Sequence, residues 1–207
     1  MIVSEKFAVN SDAERMAAAR YAAEDFAGQI GLDRRDTLKL DLLVEETLGM
    51  AKVTLEDFYG QLWFTAKGRR CEIHFEATAD MDSFKKRELL SVSSTGKNAA
   101  ARGFMARLGE VISGALRGVG DTMDAYGAQT IQYGIVHAPY TMAFNGEMTP
   151  IWTLQTYRMD LAQADGDDRA AEAAQEDLEK SIVARIADDV VVGVKGDRVD
   201  LIITKAF

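Results

Sequence analysis

The stretch Leu38-Lys39-Leu40-Asp41-Leu42-Leu43-Val44-Glu45-Glu46-Thr47-Leu48-Gly49-Met50-Ala51-Lys52 decides the reading of this chain. Leu40, Leu43, Val44, Thr47, Leu48, Ala51 and, beyond the quoted stretch, Leu55 recur at helical spacing, so the stretch predicts a helix with one well-buried face. At about 100° per residue, Glu46 and Met50 stand one turn apart on the flank of that face. The Glu46 carboxylate then has two readings: an ordinary rim charge, or a group facing a cleft.

Upstream, Asp33 is the N-cap candidate of this helix, which is expected to run to about Val53. Before it, Ser11 with Glu14 three residues later forms a capping-box signature, and a helix should follow to Gly31. Its inner face would be Met16, Ala19, Ala23, Phe26, Ala27 and Ile30. Residues 2–9 read as a first strand with Phe7 and Val9 on one face. Downstream, Gln61–Lys67, a Gly68-Arg69 turn and Arg70–Thr78 read as a hairpin with Leu62, Phe64, Ala66, Cys71, Ile73, Phe75 and Ala77 inward. Glu72, His74 and Glu76 alternate outward, which makes His74 a solvent-face residue.

Further on, Asp82–Leu90 suggests a short helix and 91–96 a polar loop. From Lys97 or Asn98 an amphipathic helix is expected to about Gly118, with the stripe Ala101, Phe104, Met105, Leu108, Val111, Ile112, Ala115, Leu116 and Val119. Residues 119–150 read as irregular or short strands, rich in glycine and holding Pro139 and Pro150. Ile151–Leu161 reads as a strand, because Trp152 and Leu154 alternate with Thr153 and Gln155. A helix from about 168 to 189 with Leu178, Ile182, Val183 and Ile186 inward, then a hairpin of Val190–Val194 and Arg198–Thr204, close the pattern. The sum is one α/β domain with an insertion at about 85–150. Its architecture is a two-layer sandwich of a mixed, mostly antiparallel sheet with helices on one face.

A chain of 207 residues, 47% hydrophobic and 28% charged, has the balance of a globular protein with a sizeable core. The formal charge of −9 lacks the Lys/Arg surplus that phosphate backbones demand and speaks against nucleic acid. It leaves basic partner proteins open. The lone Cys71 excludes an internal disulfide and fits a reducing compartment. The first residues carry charges where a signal peptide needs an apolar core, and no apolar run approaches a membrane span. A cytoplasmic location is expected.

Residues 5–80 resemble the N-terminal half of bacterial anti-sigma-factor serine kinases, members of the histidine-kinase-like ATPase fold. The shared features are the Phe-containing strand, the Ala-rich helix, and Leu40–Met50 followed by a hairpin. Ser181–Val190 and Arg198–Thr204 are similar to that fold's last helix and closing hairpin. The resemblance implies that Glu46 stands at the catalytic base and Met50 at the Asn that holds the magnesium bridging ATP phosphates. It implies that Asp80 or Asp82 stands at the Asp reading adenine. A thioether is a poor substitute for the hard oxygen that Mg²⁺ demands. Neither Asp is followed by the family's glycines, and Asp177-Leu178-Glu179-Lys180 occupies the place of the glycine-rich phosphate loop. One anion-binding candidate remains at Gly96, Lys97 and Asn98, just before an expected helix.

The expectation is therefore a regulatory protein-binding module: the resemblance implies partners such as sigma factors or their antagonists, and a homodimer is left open. It needs no cofactor. The alternative is an active ATP-dependent serine kinase taking ATP and Mg²⁺ through ligands from the insertion.

Overall fold

The quoted stretch forms the long helix α2, Arg34–Leu55, and the rest of the sheet and helices are arranged around it. A computed structural model describes residues 1–80, 103–116, 133–135, 150–164 and 168–207. The expected helix 82–90, the loop 91–96, the start of the helix expected from 97, and nearly all of 119–150 lie outside them.

In order, the described elements are β1 (Ile2–Val3), β2 (Phe7–Asn10), α1 (Ala13–Gln29), α2, β3 (Phe58–Lys67) and β4 (Arg70–Ala79). They continue with α3 (Phe104–Leu116), β5 (Pro150–Thr153), α4 (Leu154–Gln163) and α5 (Arg169–Lys180). Last come α6 (Ile182–Ile186), β6 (Asp189–Lys195) and β7 (Arg198–Ala206). The strands form one seven-stranded sheet in the order β1-β3-β4-β7-β6-β5, with β2 also paired to β3. Every pairing among them is antiparallel, so the expected sheet is antiparallel as its larger part was read, and the parallel pairs that a mixed sheet needs are absent among the described residues.

Both expected hairpins form. Lys67 pairs with Arg70 and Lys195 with Arg198, and each two-residue turn opens on a glycine, Gly68 or Gly196, at positive φ. Alternation along the strands puts Leu62, Phe64, Ile73, Phe75, Val190, Val192, Leu201 and Ile203 in the core on one face. That face is covered by helices; Phe26 of α1 stacks on Phe64 with ring centroids 5.2 Å apart.

Helix α2 starts as expected: the Asp33 carboxylate accepts from the Asp36 N–H at 2.8 Å. Helix α1 starts otherwise. Asp12, not Ser11, is the N-cap and makes no side-chain cap bond. The Ser11 hydroxyl instead donates to Asp57 at 3.3 Å. Helix α1 ends as expected, with Gly31 at φ 70°.

Three further expectations are corrected. Residues 2–9 are two short strands, because the Ser4 hydroxyl and N–H bond to the backbone of Phe64 between them. The strand expected over 151–161 stops at Thr153. The Thr153 hydroxyl accepts from the Thr156 N–H and starts α4, whose inner residues Leu154 and Tyr157 keep helical spacing. The helix expected from 168 to 189 breaks at Ser181, which caps α6 through the Ala184 N–H, and this turns Ile182 outward at 45% exposure.

Leu43 and Leu48 are fully buried on α2. Replacing either with Ala should cost ~2–5 kcal/mol of stability, the range for deleting a large buried aliphatic side chain. Chemical denaturation measures it, and a loss below about 0.5 kcal/mol would place the residue on a surface.

Candidate functional site

Half of the 22 residues of α2 are buried, spread over roughly 180° of its circumference. Asp41 and Glu45 mark one edge of that arc. Arg20 of α1 grips the Asp41 carboxylate with two bonds, 2.8 and 2.6 Å, and reaches Glu45 at 3.3 Å. The bond to Asp41 pushes the Arg20 guanidinium above its already high ordinary value. Met50 and Thr54 mark the opposite edge, and Glu46 lies just outside it, half-buried.

Helix α3 packs against this second edge. A Cβ added at Gly109 would lie 2.5 Å from the Thr54 hydroxyl, so the two helices meet there at a distance only glycine allows. Phe104, Leu108, Val111, Ile112 and Leu116 of α3 are buried, as the sequence stripe predicts. Met50 is 7% exposed and belongs to the core. Its thioether is packed among apolar groups.

The remaining sequence candidates are Asp80 and the run Gly96, Lys97 and Asn98. Asp80 is exposed just past the end of β4, and its N–H donates to the Asp57 carbonyl beyond the C-terminal end of α2. Gly96, Lys97 and Asn98 lie outside the described residues. Among the described residues, no group of three or more His, Cys, Asp or Glu side chains is placed to hold a metal ion.

A groove of about 620 Å³ runs between α4 and α5, bordered by Arg158, Leu161, Asp168, Glu172 and Leu178. Two of its polar groups serve the fold. Arg158 donates to the carbonyls of Ala184 at 2.6 Å and Asp188 at 3.1 Å, closing the end of α6. Asp168 caps α5 through the Ala170 and Ala171 N–H groups and accepts from the Tyr133 hydroxyl at 2.5 Å. The bond from Tyr133, with those caps, holds the Asp168 carboxyl below its usual range. Burial and the same bond push the Tyr133 phenol up to about 12.

Beside it, Gly134 at φ 86° donates to Asp160 at 2.7 Å, and a Cβ there would strike the Trp152 ring. Tyr133, Trp152, Tyr157 and Phe104 pack edge to face or tilted, with centroids 5.5–6.3 Å apart. This aromatic cluster fills the space between α3, α4 and β5.

No protein-family model and no curated protein matches this chain. The described helices include none long and apolar enough to cross a membrane.

One group of side chains escaped the sequence reading. His74 does point away from the helices, but it is only 6% exposed, which overturns its assignment as a solvated residue. Its neighbour across the β3–β4 pairing is Trp63, and the two rings stack at 4.9 Å and 5°. The Lys6 ammonium rests 4.0 Å from the Trp63 ring. Pairing Trp63 with His74 across the Gly68-Arg69 turn was the available signal.

The contact between Gly109 and Thr54 makes a specific demand. Gly109→Ala should destabilise the protein by ~1–3 kcal/mol through overpacking, and Thr54→Ala in the same chain should recover part of that loss. A double-mutant cycle from denaturant midpoints reads the coupling; strictly additive losses would show that the helices do not meet at this pair.

Proposed function

We propose that this chain is a histidine-kinase-like ATPase scaffold that works as a regulatory protein-binding module and does not carry out ATP chemistry. The burial of Met50 supports this most directly. At the position where the resembled fold needs an Asn oxygen for magnesium, the side chain is a thioether only 7% exposed, in the core. A soft sulfur packed among apolar groups offers Mg²⁺ neither a hard donor nor an open coordination position. Helix α3 adds to the argument, because it packs against the same edge of α2 one turn later, at Thr54 and Gly109.

The order of elements agrees with the scaffold part of the proposal. A strand, two helices and a hairpin are followed, after the intervening segment, by a helix and a hairpin whose last strand pairs with the first hairpin. The partner class comes from the resemblance: a cytoplasmic regulatory protein of the sigma-factor or antagonist type. The charge of −9 suits a partner presenting basic groups. In this role Glu46 is a half-buried contact or rim carboxylate, without a substrate.

Calorimetry with ATP and magnesium tests the proposal. Without a metal ligand and without glycine loops, several charge-assisted contacts of ~1.5–3 kcal/mol each are missing, so binding should be weaker than roughly 10 μM. Tighter binding, with phosphate transfer abolished in Glu46→Gln, would establish the active kinase, drawing its nucleotide ligands from the insertion.

A further inference from the structure

The outer face of the sheet carries a buried imidazole that the proposed function does not use. His74 is stacked on Trp63, and its Nε2 lies 3.3 Å from the Thr65 hydroxyl and 3.4 Å from the Glu72 carboxylate. The Thr65 hydroxyl donates to Glu72 at 3.2 Å, so its oxygen is left to accept from Nε2–H. Neutral His74 therefore carries its proton on Nε2, and Nδ1 takes the second proton in acid. That Nδ1 is buried and has no hydrogen-bond partner among the described residues.

Among the described residues, the charges around the ring are few. From β4 itself come Glu72 and Glu76; β3 contributes Trp63 with Gln61 and Thr65 beside it. From β7 come Ile202 opposite, with Asp200 and Thr204 on the diagonals. Glu76 and Asp200 are both paired with Arg198, at 3.1 and 3.3 Å. Lys6, in the link between β1 and β2, is the cation that shares the Trp63 ring.

We infer that His74 is an acid-sensitive latch on the N-terminal arm: protonating the imidazole stacked on Trp63 drives Lys6 off the same indole and loosens residues 2–10 from β3. The new Nδ1–H has no acceptor, so the ring must shift to reach one. Two cations on one indole also repel each other. The arm is held by two short strands, the Ser4 bonds to Phe64 and Lys6, with Val9 of β2 buried in the core and Phe7 packed against it. Its release bares the edge of β3 that β1 and β2 cover.

Burial holds His74 below its ordinary value of 6.5, with Glu72 opposing and Lys6 adding to the effect. Between that lowered value and 6.5 the unfolded chain binds the proton more readily than the folded one. Neutral His74 thus contributes stability that is present above 6.5 and is lost as pH falls.

The test follows the His74 ring and the amide exchange of residues 3–10 by NMR on the full chain from about pH 7.5 to 5, correcting exchange for its intrinsic pH dependence. Arm protection should fall at least about threefold as His74 titrates, and should stay level in His74→Gln. In Lys6→Gln, a change at an exposed position, His74 should bind its proton roughly threefold more tightly. Arm protection that ignores the His74 titration, the same loss in His74→Gln, or an unchanged His74 midpoint in Lys6→Gln would each overturn the latch.

Discussion

Helix α2 must bury about half of its circumference, and that requirement organises the molecule. A surface helix with a narrow apolar stripe needs only the sheet beneath it. A helix buried over roughly 180° also needs neighbours on both shoulders. Helix α1 supplies one shoulder, where Arg20 satisfies Asp41 so that a nearly buried carboxylate is not left unpaired. The other shoulder is closed by α3, whose Gly109 lets the two backbones come close at Thr54. Met50 lies on the same shoulder, one turn before that crossing. Met50, which the resemblance sets at the magnesium position, is thus in a place governed by packing.

Much of this architecture could be read from the residues. Leu40 to Leu55 carries a helical period long enough to be unambiguous, and two hairpins announce themselves through alternation around Gly68-Arg69 and Gly196-Asp197. The failures have physical causes. Trp152-Thr153-Leu154-Gln155 satisfies both a strand period and the start of a helix; the deciding feature is the Thr153 hydroxyl bonding to the Thr156 N–H, one side-chain bond that alternation does not register. Ser181 breaks a continuous apolar pattern by the same device. Parallel or antiparallel pairing of distant strands is absent from local pattern altogether, which is why local pattern leaves room for parallel pairs in a mostly antiparallel sheet.

The candidate site was legible in part. Glu46 and Met50 do share a flank of α2, as helix geometry requires, but whether that flank faces water depends on α3, more than fifty residues away in sequence. His74 shows the opposite limit. Strand alternation correctly gives its face, while its burial depends on Trp63 and on a lysine before β2. Burial on an open sheet face comes from the size of cross-strand neighbours, and only the register reveals who they are.

The pairing of β4 with β7 joins Thr78 to Arg198, 120 positions later. Closing so long a loop costs little in equilibrium terms, since the entropy grows only with the logarithm of length, about 0.6 kcal/mol per doubling. Connections between the elements of the intervening chain can therefore lengthen with little penalty to the fold, provided α3, β5 and β6 keep their places. Kinetically the same pairing is expensive, because non-local contacts slow folding. During synthesis, β2, the first two helices and the β3–β4 hairpin emerge well before their last partner. Until β7 arrives, β4 presents an unpaired edge of backbone donors and acceptors to any other strand in reach. For this chain, the risk of misassembly is greatest while it is being made.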